Sequence, residues 1–434
     1  MNRTSVEHPS GHRTSVHWTI LALLFVASFV AYLLRTNMSV AGEGLREDLG
    51  LTQVQLGMVL AAFAWGYGVF QFPGGVFGEL QGARRALTWS ALAWGVLNLV
   101  VGLLPGSGTL SPSALLVLLI GLRFLMGAAQ APLYPVTGGL ICNWFPVAGW
   151  ALPNGLTNAG LTLGSAATGP LIAWLMESLG WRQSFVVTAP LAFVFAAVWW
   201  WYGRDTPADH PSVSQDELEM INAERSGNRE CEPGGWSVVL RNREVLLLSA
   251  SYFCSNYLFY FFFNWLFVYL VDSRGFRILE GGYLAAAPWM AGAVGAAVGG
   301  AVCDRLAKRI GPRWGYAALP ILGLVAGSGL IVAAALATNP YLAVVFLALC
   351  LGAQQLTEGA FWAATINVAG RHSCAAGGVL NTGGNVVGGI GALLVPLTVE
   401  AAGWPVALAT TAIFALIGAG LWLVIRADRP LPDP

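Results

Sequence analysis

Twelve stretches of mostly apolar residues, each about twenty residues long or more, run along this chain, and each can cross the hydrocarbon core of a bilayer as one helix. They fall near residues 17–41, 54–77, 86–104, 113–141, 150–176 and 184–202, then 245–271, 281–302, 314–336, 341–368, 375–399 and 404–425. An ordinary soluble domain is excluded, because 56% of the 434 residues are hydrophobic and only 10% are charged, against about 25% charged in soluble domains. The expected fold class is an all-α membrane protein with twelve transmembrane helices. An even number of crossings puts both termini on one side. Two arginines, Arg35 and Arg123, lie inside spans; of the other twenty Lys and Arg, sixteen fall on the side of the termini and four, Arg46, Arg182, Arg274 and Arg277, on the other. Basic residues accumulate on the cytoplasmic side, so the termini are expected there, in a cytoplasmic (inner) membrane. The polar opening tail has no small-residue cleavage site, and no cleaved signal peptide is expected. The net charge of zero gives no reason to expect nucleic-acid binding.

An arginine at mid-bilayer costs about 2.5 to 3.5 kcal/mol even on the lenient insertion scale, so it persists where it faces a polar cavity or partner. One carboxylate, Glu358, lies within a later span. Two cations against one acid suggest a cavity built to receive an anion. The six cysteines lack C-x-x-C spacing and the five histidines stand in tails, loops or span edges. No metal site, cofactor or disulfide framework is expected.

The chain also repeats itself. Gly74-Gly75 with Glu79 and Arg84 recurs 225 residues later as Gly299-Gly300 with Asp304 and Arg309. Gly127 to Gln130 aligns with Gly352 to Gln355 at the same offset, and Gly160 and Gly164 align with Gly384 and Gly388 at 224. Two six-helix halves of shared orientation follow, a parallel repeat about an axis along the membrane normal. The expected units are 1–202 and 243–434, joined by a cytoplasmic linker, 203–242. Within the linker, Ser214 with Glu217 three residues on has the form of a helix N-cap.

This layout resembles the major facilitator superfamily over the whole chain. GGVFGELQGARR, from Gly74 to Arg85, is similar to that superfamily's loop motif, with Glu79 in the usual aspartate place, and GGAVCDRLAKR from Gly299 is its second copy. Carboxylates at helix ends beside arginines of the next loop, Glu79 with Arg84 and Asp304 with Arg309, are expected to act as a gate; plain topology-setting charge is the alternative. RTNMSVA from Arg35, RFLMGAAQAPLYP from Arg123, RDTPADHPSVSQDE from Arg204 and NYLFYFFFNWLFVYL from Asn256 are similar to the anion:cation symporter family, which includes sugar-acid and other organic-anion permeases.

Polar residues within the spans fall at helical spacing: Ser28, Tyr32 and Arg35; Arg123, Gly127, Gln130 and Tyr134; Asn256, Tyr260 and Asn264; Gln354, Glu358 and Trp362; Asn381 and Asn385. The third, sixth, ninth and twelfth spans hold no charge in their cores, as the resemblance implies for peripheral helices. It further implies that Arg35 holds the substrate carboxylate with Tyr32 and Tyr67 as hydroxyl partners, and that Trp362 and Asn381 touch substrate. A planar guanidinium suits a carboxylate, because two parallel charge-assisted hydrogen bonds can form. Arg123, Gln130, Tyr260 and Asn385 complete the candidate binding set, with a helix contact or gate as the alternative for Arg123. The chain departs from the proton-coupled members at Leu34 and Gln130, where they carry acids. Glu358 remains as candidate proton carrier or as permanent counter-ion to an arginine. The Gly-rich runs of the fifth and eleventh spans contain G-x-x-x-G steps that allow close helix contact, and Pro73, Pro132, Pro135 and Pro170 are expected to break or bend helices.

The expected protein is a monomeric secondary transporter of a small organic anion such as a sugar acid, working by alternating access. Proton-coupled import is the family's default, and exchange or uniport of the same fold is the alternative. No metal-ligand spacing, nucleophile elbow or phosphate loop supports a membrane enzyme. A receptor of transporter-like fold would more plausibly carry a sizeable signalling domain.

Overall fold

The computed structural model describes residues 15–51, 53–105, 111–146, 149–222 and 236–431. The opening tail and linker residues Arg225, Arg229 and Cys231 lie outside them. Six spans precede the linker: α1 (Val16–Leu49), α2 (Gln53–Gln81), α3 (Ala83–Gly102), a fourth built of α4 (Pro112–Gln130) and α5 (Leu133–Trp144), α6 (Ala151–Leu179) and α7 (Trp181–Tyr202). The short helices α8 (Gln215–Asn222) and α9 (Trp236–Arg241) lead to six more. These are α10 (Arg243–Asn264), continued by α11 (Leu266–Val268) and a π-helical turn at Tyr269–Ser273, then α12 (Ile278–Ile310), α13 (Pro312–Leu336), a tenth built of α14 (Pro340–Gln355) and α15 (Glu358–Ala369), α16 (Ser373–Ala402) and α17 (Trp404–Leu421). Among the described residues, nine of these spans are apolar enough to cross a membrane on length and hydropathy alone. The other three, α2, α3 and α16, are 29, 20 and 30 residues long and carry Gln71, Asn98, Asn381 and Asn385 within their apolar runs.

The repeat seen in the sequence is a repeat of packing. Before the linker α1 packs on α6, α2 on α4 and α3 on α7; after it α10 packs on α16, α12 on α14 and α13 on α17. Span for span these are the same three pairs. The two sets then meet through α6 against α12 and α2 against α16, again equivalent pairs. Large apolar side chains such as Trp65, Trp89, Trp174 and Trp201 remain exposed on the outer surface, which suits lipid.

Two of the sequence expectations divide here. The fourth span breaks at Ala131 and Pro132, where proline removes an amide donor, and its repeat breaks at Leu356 and Thr357, where the Thr357 hydroxyl donates to the carbonyl of Gln354 (2.7 Å). Pro73 and Pro170, by contrast, sit inside uninterrupted α2 and α6. The glycine pairs also part company. A Cβ at Gly160 or Gly164 would stand 2.4 or 2.6 Å from the carbonyl oxygen of Phe25 or Phe29, so these glycines let α6 lie against the α1 backbone. Their repeats Gly384 and Gly388 instead make room for rings, those of Tyr252 and Tyr260 on α10, at 2.5 and 2.6 Å.

Candidate functional site

Between the two sets of spans lies a small cavity of about 20 Å³, lined by Tyr32, Tyr67, Tyr134, Tyr252 and Trp362, by the amides Asn158, Asn256, Gln355, Asn381 and Asn385, and by Glu358. Helices α3, α7, α13 and α17 contribute nothing to it, as expected of peripheral spans. That volume suits one or two waters, so a substrate-sized space needs the halves to move apart.

Arg35 is buried at 3% exposure. Its Nη1 donates to the Tyr32 hydroxyl (3.1 Å) and its Nη2 to the Tyr260 hydroxyl (3.2 Å), while Nε has no partner. Four rings surround the guanidinium, those of Phe63, Tyr67, Tyr32 and Phe263 at 4.7, 4.9, 5.0 and 5.0 Å. Ring faces stabilise a cation through their quadrupoles. Among the described residues no carboxylate forms an ion pair with it. The protein holds this charge by hydroxyls and rings and leaves its full neutralisation to something else.

Arg123 and Gln130 are turned elsewhere. Arg123 donates through Nη2 to the backbone carbonyl of Arg35 (3.3 Å) and shares the Phe63 ring at 4.8 Å. Gln130 donates through Nε2 to the carbonyl of Ala31 (3.0 Å), one turn earlier on α1. Both therefore brace the helix that carries Arg35, and neither lines the cavity. Periodicity placed them on the inward face of α4 but could not say which inward group they meet.

Glu358 begins α15, the second segment of the broken tenth span. Its carboxylate accepts from the Tyr252 hydroxyl (3.0 Å) and from Gln354 Nε2 (3.1 Å), and it pairs with neither arginine. Tyr252 was missed from the sequence although it stands one turn before Asn256 and two before Tyr260 on one face of α10. Trp362 packs against Tyr134 and Tyr252 at 6.0 and 6.5 Å between centroids, so its ring joins the two halves.

A directed line of hydrogen bonds crosses between the halves. Arg35 donates to Tyr260, Tyr260 to Asn385 Oδ1 (2.6 Å), Asn385 to Asn381 Oδ1 (2.9 Å), and Asn381 to Gln71 Oε1 (2.8 Å) back on α2. A second crossing joins Asn158 of α6 to Gln355 of α14 (2.6 Å).

The residues expected to form a gate meet other partners. Glu79 Oε1 accepts from the backbone amide of Ala375 (2.9 Å), in the first turn of α16. Asp304 accepts from the amides of Ala151 and Leu152 (2.9 and 2.8 Å), which open α6. Each carboxylate thus sits on the amide-rich, partially positive start of a helix in the opposite half. Arg84 and Arg309 are not their partners: Arg84 donates to the Trp200 carbonyl at the end of α7 in its own half, and Arg309 is exposed. Helix starts offer charge without a charged residue, which a search for paired charges passes over. In the linker, Ser214 does cap α8, accepting from the amide of Glu217 (3.3 Å), but the Glu217 carboxylate reaches the His17 amide and ring at the start of α1 (3.0 and 2.5 Å). The linker helix is docked rather than freely solvated.

Two repeated sets of six spans, with matched carboxylate contacts between them and a cavity that holds a buried acid near a buried cation, have the build of a membrane transporter. The profile of the Major Facilitator Superfamily matches residues 24–372. The chain belongs to that superfamily, and it is a transporter rather than an enzyme. It is 30% identical, over 91% of its length and 88% of the relative's, to the "Probable galactarate/D-glucarate transporter GudP" of Bacillus subtilis. It is 29% identical, over 88% of both, to the "Hexuronate transporter" of the same species. The solved structure of the proton:xylose symporter XylE shares the fold with a TM-score of 0.76 at 13% identity, over 97% of this chain and 98% of that one.

Proposed function

We propose that this chain moves a small organic anion, a carboxylate of the size of a sugar acid, across the cytoplasmic membrane by alternating access, with Arg35 as the seat of the substrate carboxylate. The observation that carries the reading is the buried guanidinium of Arg35, caged by four rings and without a carboxylate partner among the described residues, where the two halves meet. Relatives named for galactarate, glucarate and hexuronate support the same class of substrate. Tyr32, Tyr67, Tyr260, Trp362, Asn381 and Asn385 complete the seat, while Arg123 and Gln130 act by holding α1 in place. Glu79 and Asp304 are the gate, and the termini face the cytoplasm. Import is coupled to protons through Glu358, whose neutral partners leave it free to gain and lose a proton as the halves move.

Proteoliposomes test these roles together. Wild-type protein should concentrate a labelled sugar acid under an inward proton gradient. Arg35→Lys should lose binding while remaining folded in the membrane, since a point charge cannot replace a planar clamp; near-normal affinity would make Arg35 structural. Glu358→Gln should abolish accumulation yet keep exchange of labelled for unlabelled substrate, because the amide imitates the protonated acid. A second reading, exchange or uniport, is favoured by Leu34 and Gln130 standing where acids are usual. Wild-type protein that equilibrates substrate but never concentrates it would establish that reading and discard symport.

A further inference from the structure

The two charges of the site are held by tyrosines on one helix face. Arg35 is tied to Tyr260 and Glu358 to Tyr252, and those tyrosines stand eight residues apart on α10, a rise of about 12 Å at 1.5 Å per residue. Asn256, midway between them, lines the same cavity. An extended six-carbon chain with a hydrogen bond at each end fits that separation. The second arginine adds no second anion seat, because Arg123 faces the Arg35 carbonyl and the Phe63 ring. Apart from Glu358 the cavity lining is uncharged, with the amides of Asn256, Asn381 and Asn385 and the hydroxyl of Tyr32, which accepts from Arg35 behind it.

Resting on the organic-anion reading, we infer that the site selects monocarboxylates whose far end donates hydrogen bonds, as a hydroxyl does, and rejects dicarboxylates of the same length, with Glu358 as the residue that discriminates. A carboxylate on Arg35 places the other end of the molecule at Glu358. A hydroxyl there donates to the carboxylate of Glu358. While Glu358 is ionised, a second carboxylate there meets a like charge and, among the described lining residues, no cation. Offering an acceptor that the correct ligand uses, and forcing like charges together with the wrong one, is how sites of this kind gain selectivity. The inference separates this chain from its relative named for galactarate and glucarate, both of which carry an acid at each end.

Matched pairs that differ only at the terminal carbon decide it: D-galactonate against galactarate and D-gluconate against D-glucarate, titrated into the purified wild-type protein by calorimetry or by shift in unfolding temperature. The monocarboxylate of at least one pair should bind at least tenfold more tightly than its partner. In Glu358→Gln the gap should narrow because the dicarboxylate gains affinity. In Asn256→Asp, which adds a second acid to the lining that already holds Glu358, it should widen. A dicarboxylate that binds wild-type protein as tightly as its monocarboxylate partner overturns the inference and leaves the organic-anion reading standing. A gap that persists unchanged in folded Glu358→Gln protein removes Glu358 as its cause. Failure of every member of both pairs, and of other carboxylates, overturns the organic-anion reading and the inference with it.

Discussion

At the scale of single residues, the site depends on where one tyrosine hydroxyl sits. Tyr260 accepts from Arg35 and donates to Asn385, so it fixes the orientation of the guanidinium and joins the two halves through one oxygen. Its ring rests on Gly388: a Cβ there would lie 2.6 to 2.8 Å from three ring carbons, too near for any ring to stay in place. Gly388→Ala should therefore lower affinity for the transported anion at least tenfold while the protein still folds. The neighbouring Gly389→Ala, which meets nothing within 4 Å, should leave it unchanged, and ligand-induced shifts in unfolding temperature compare the two. Tyr260→Phe keeps the ring and removes the oxygen, and should cost about 1.5 to 3 kcal/mol, roughly ten- to hundredfold in affinity, as for other hydrogen bonds to charged groups. The burial of Arg35, Arg123 and Glu358 was legible from their positions inside apolar runs. Their partners were not, because helical spacing names the face on which a side chain stands and not the atom it reaches on another helix.

Among elements, the latches are the feature with mechanical meaning. Glu79 and Asp304 are 225 residues apart, as are the spans that bear them, and each is held by the first turn of a helix of the opposite half. A carboxylate on a partly buried helix start contributes about 1 to 2 kcal/mol, so each latch biases the closed form of this face by roughly five- to thirtyfold. Glu79→Gln and Asp304→Asn should each shift the protein toward a form open on the face of the termini. Spin labels at the exposed positions Arg85 and Arg309 should show a longer separation in both variants, and still longer in the double variant. Unchanged distances would leave the two acids with a topological role alone. The loop motif made these positions visible in the sequence, and the expected pairing with Arg84 and Arg309 failed because backbone amides carry the charge instead. The break of the fourth span is legible at Pro132, where proline interrupts the helix. The break of the tenth is not, because Leu356-Thr357 carries no proline and apolar composition reports burial in lipid without regard to backbone geometry.

Over the whole molecule, the proposed orientation rests on the sixteen-to-four division of basic residues. A reporter fused after Pro434 should read cytoplasmic, and one inserted after Pro105, between the third and fourth spans, should read from the opposite side. The reverse result would turn every statement about direction around. The architecture itself was the most legible part, since twelve windows and a nearly constant offset of 224 to 225 specify twelve spans in two matched sets. How the sets close against one another was hidden, because the contacts that do it join residues 150 to 300 positions apart. The glycine pairs show how differently the two copies use one repeated position. Enlarging Gly160 or Gly164 means pushing back the main chain of α1, so those positions leave descendants of this chain little freedom. Enlarging Gly384 or Gly388 means trading away a tyrosine ring, which a second substitution on α10 can accommodate. New substrate preferences are therefore easiest to acquire by paired changes in the C-terminal copy, while the N-terminal copy keeps the arginine and the frame around it.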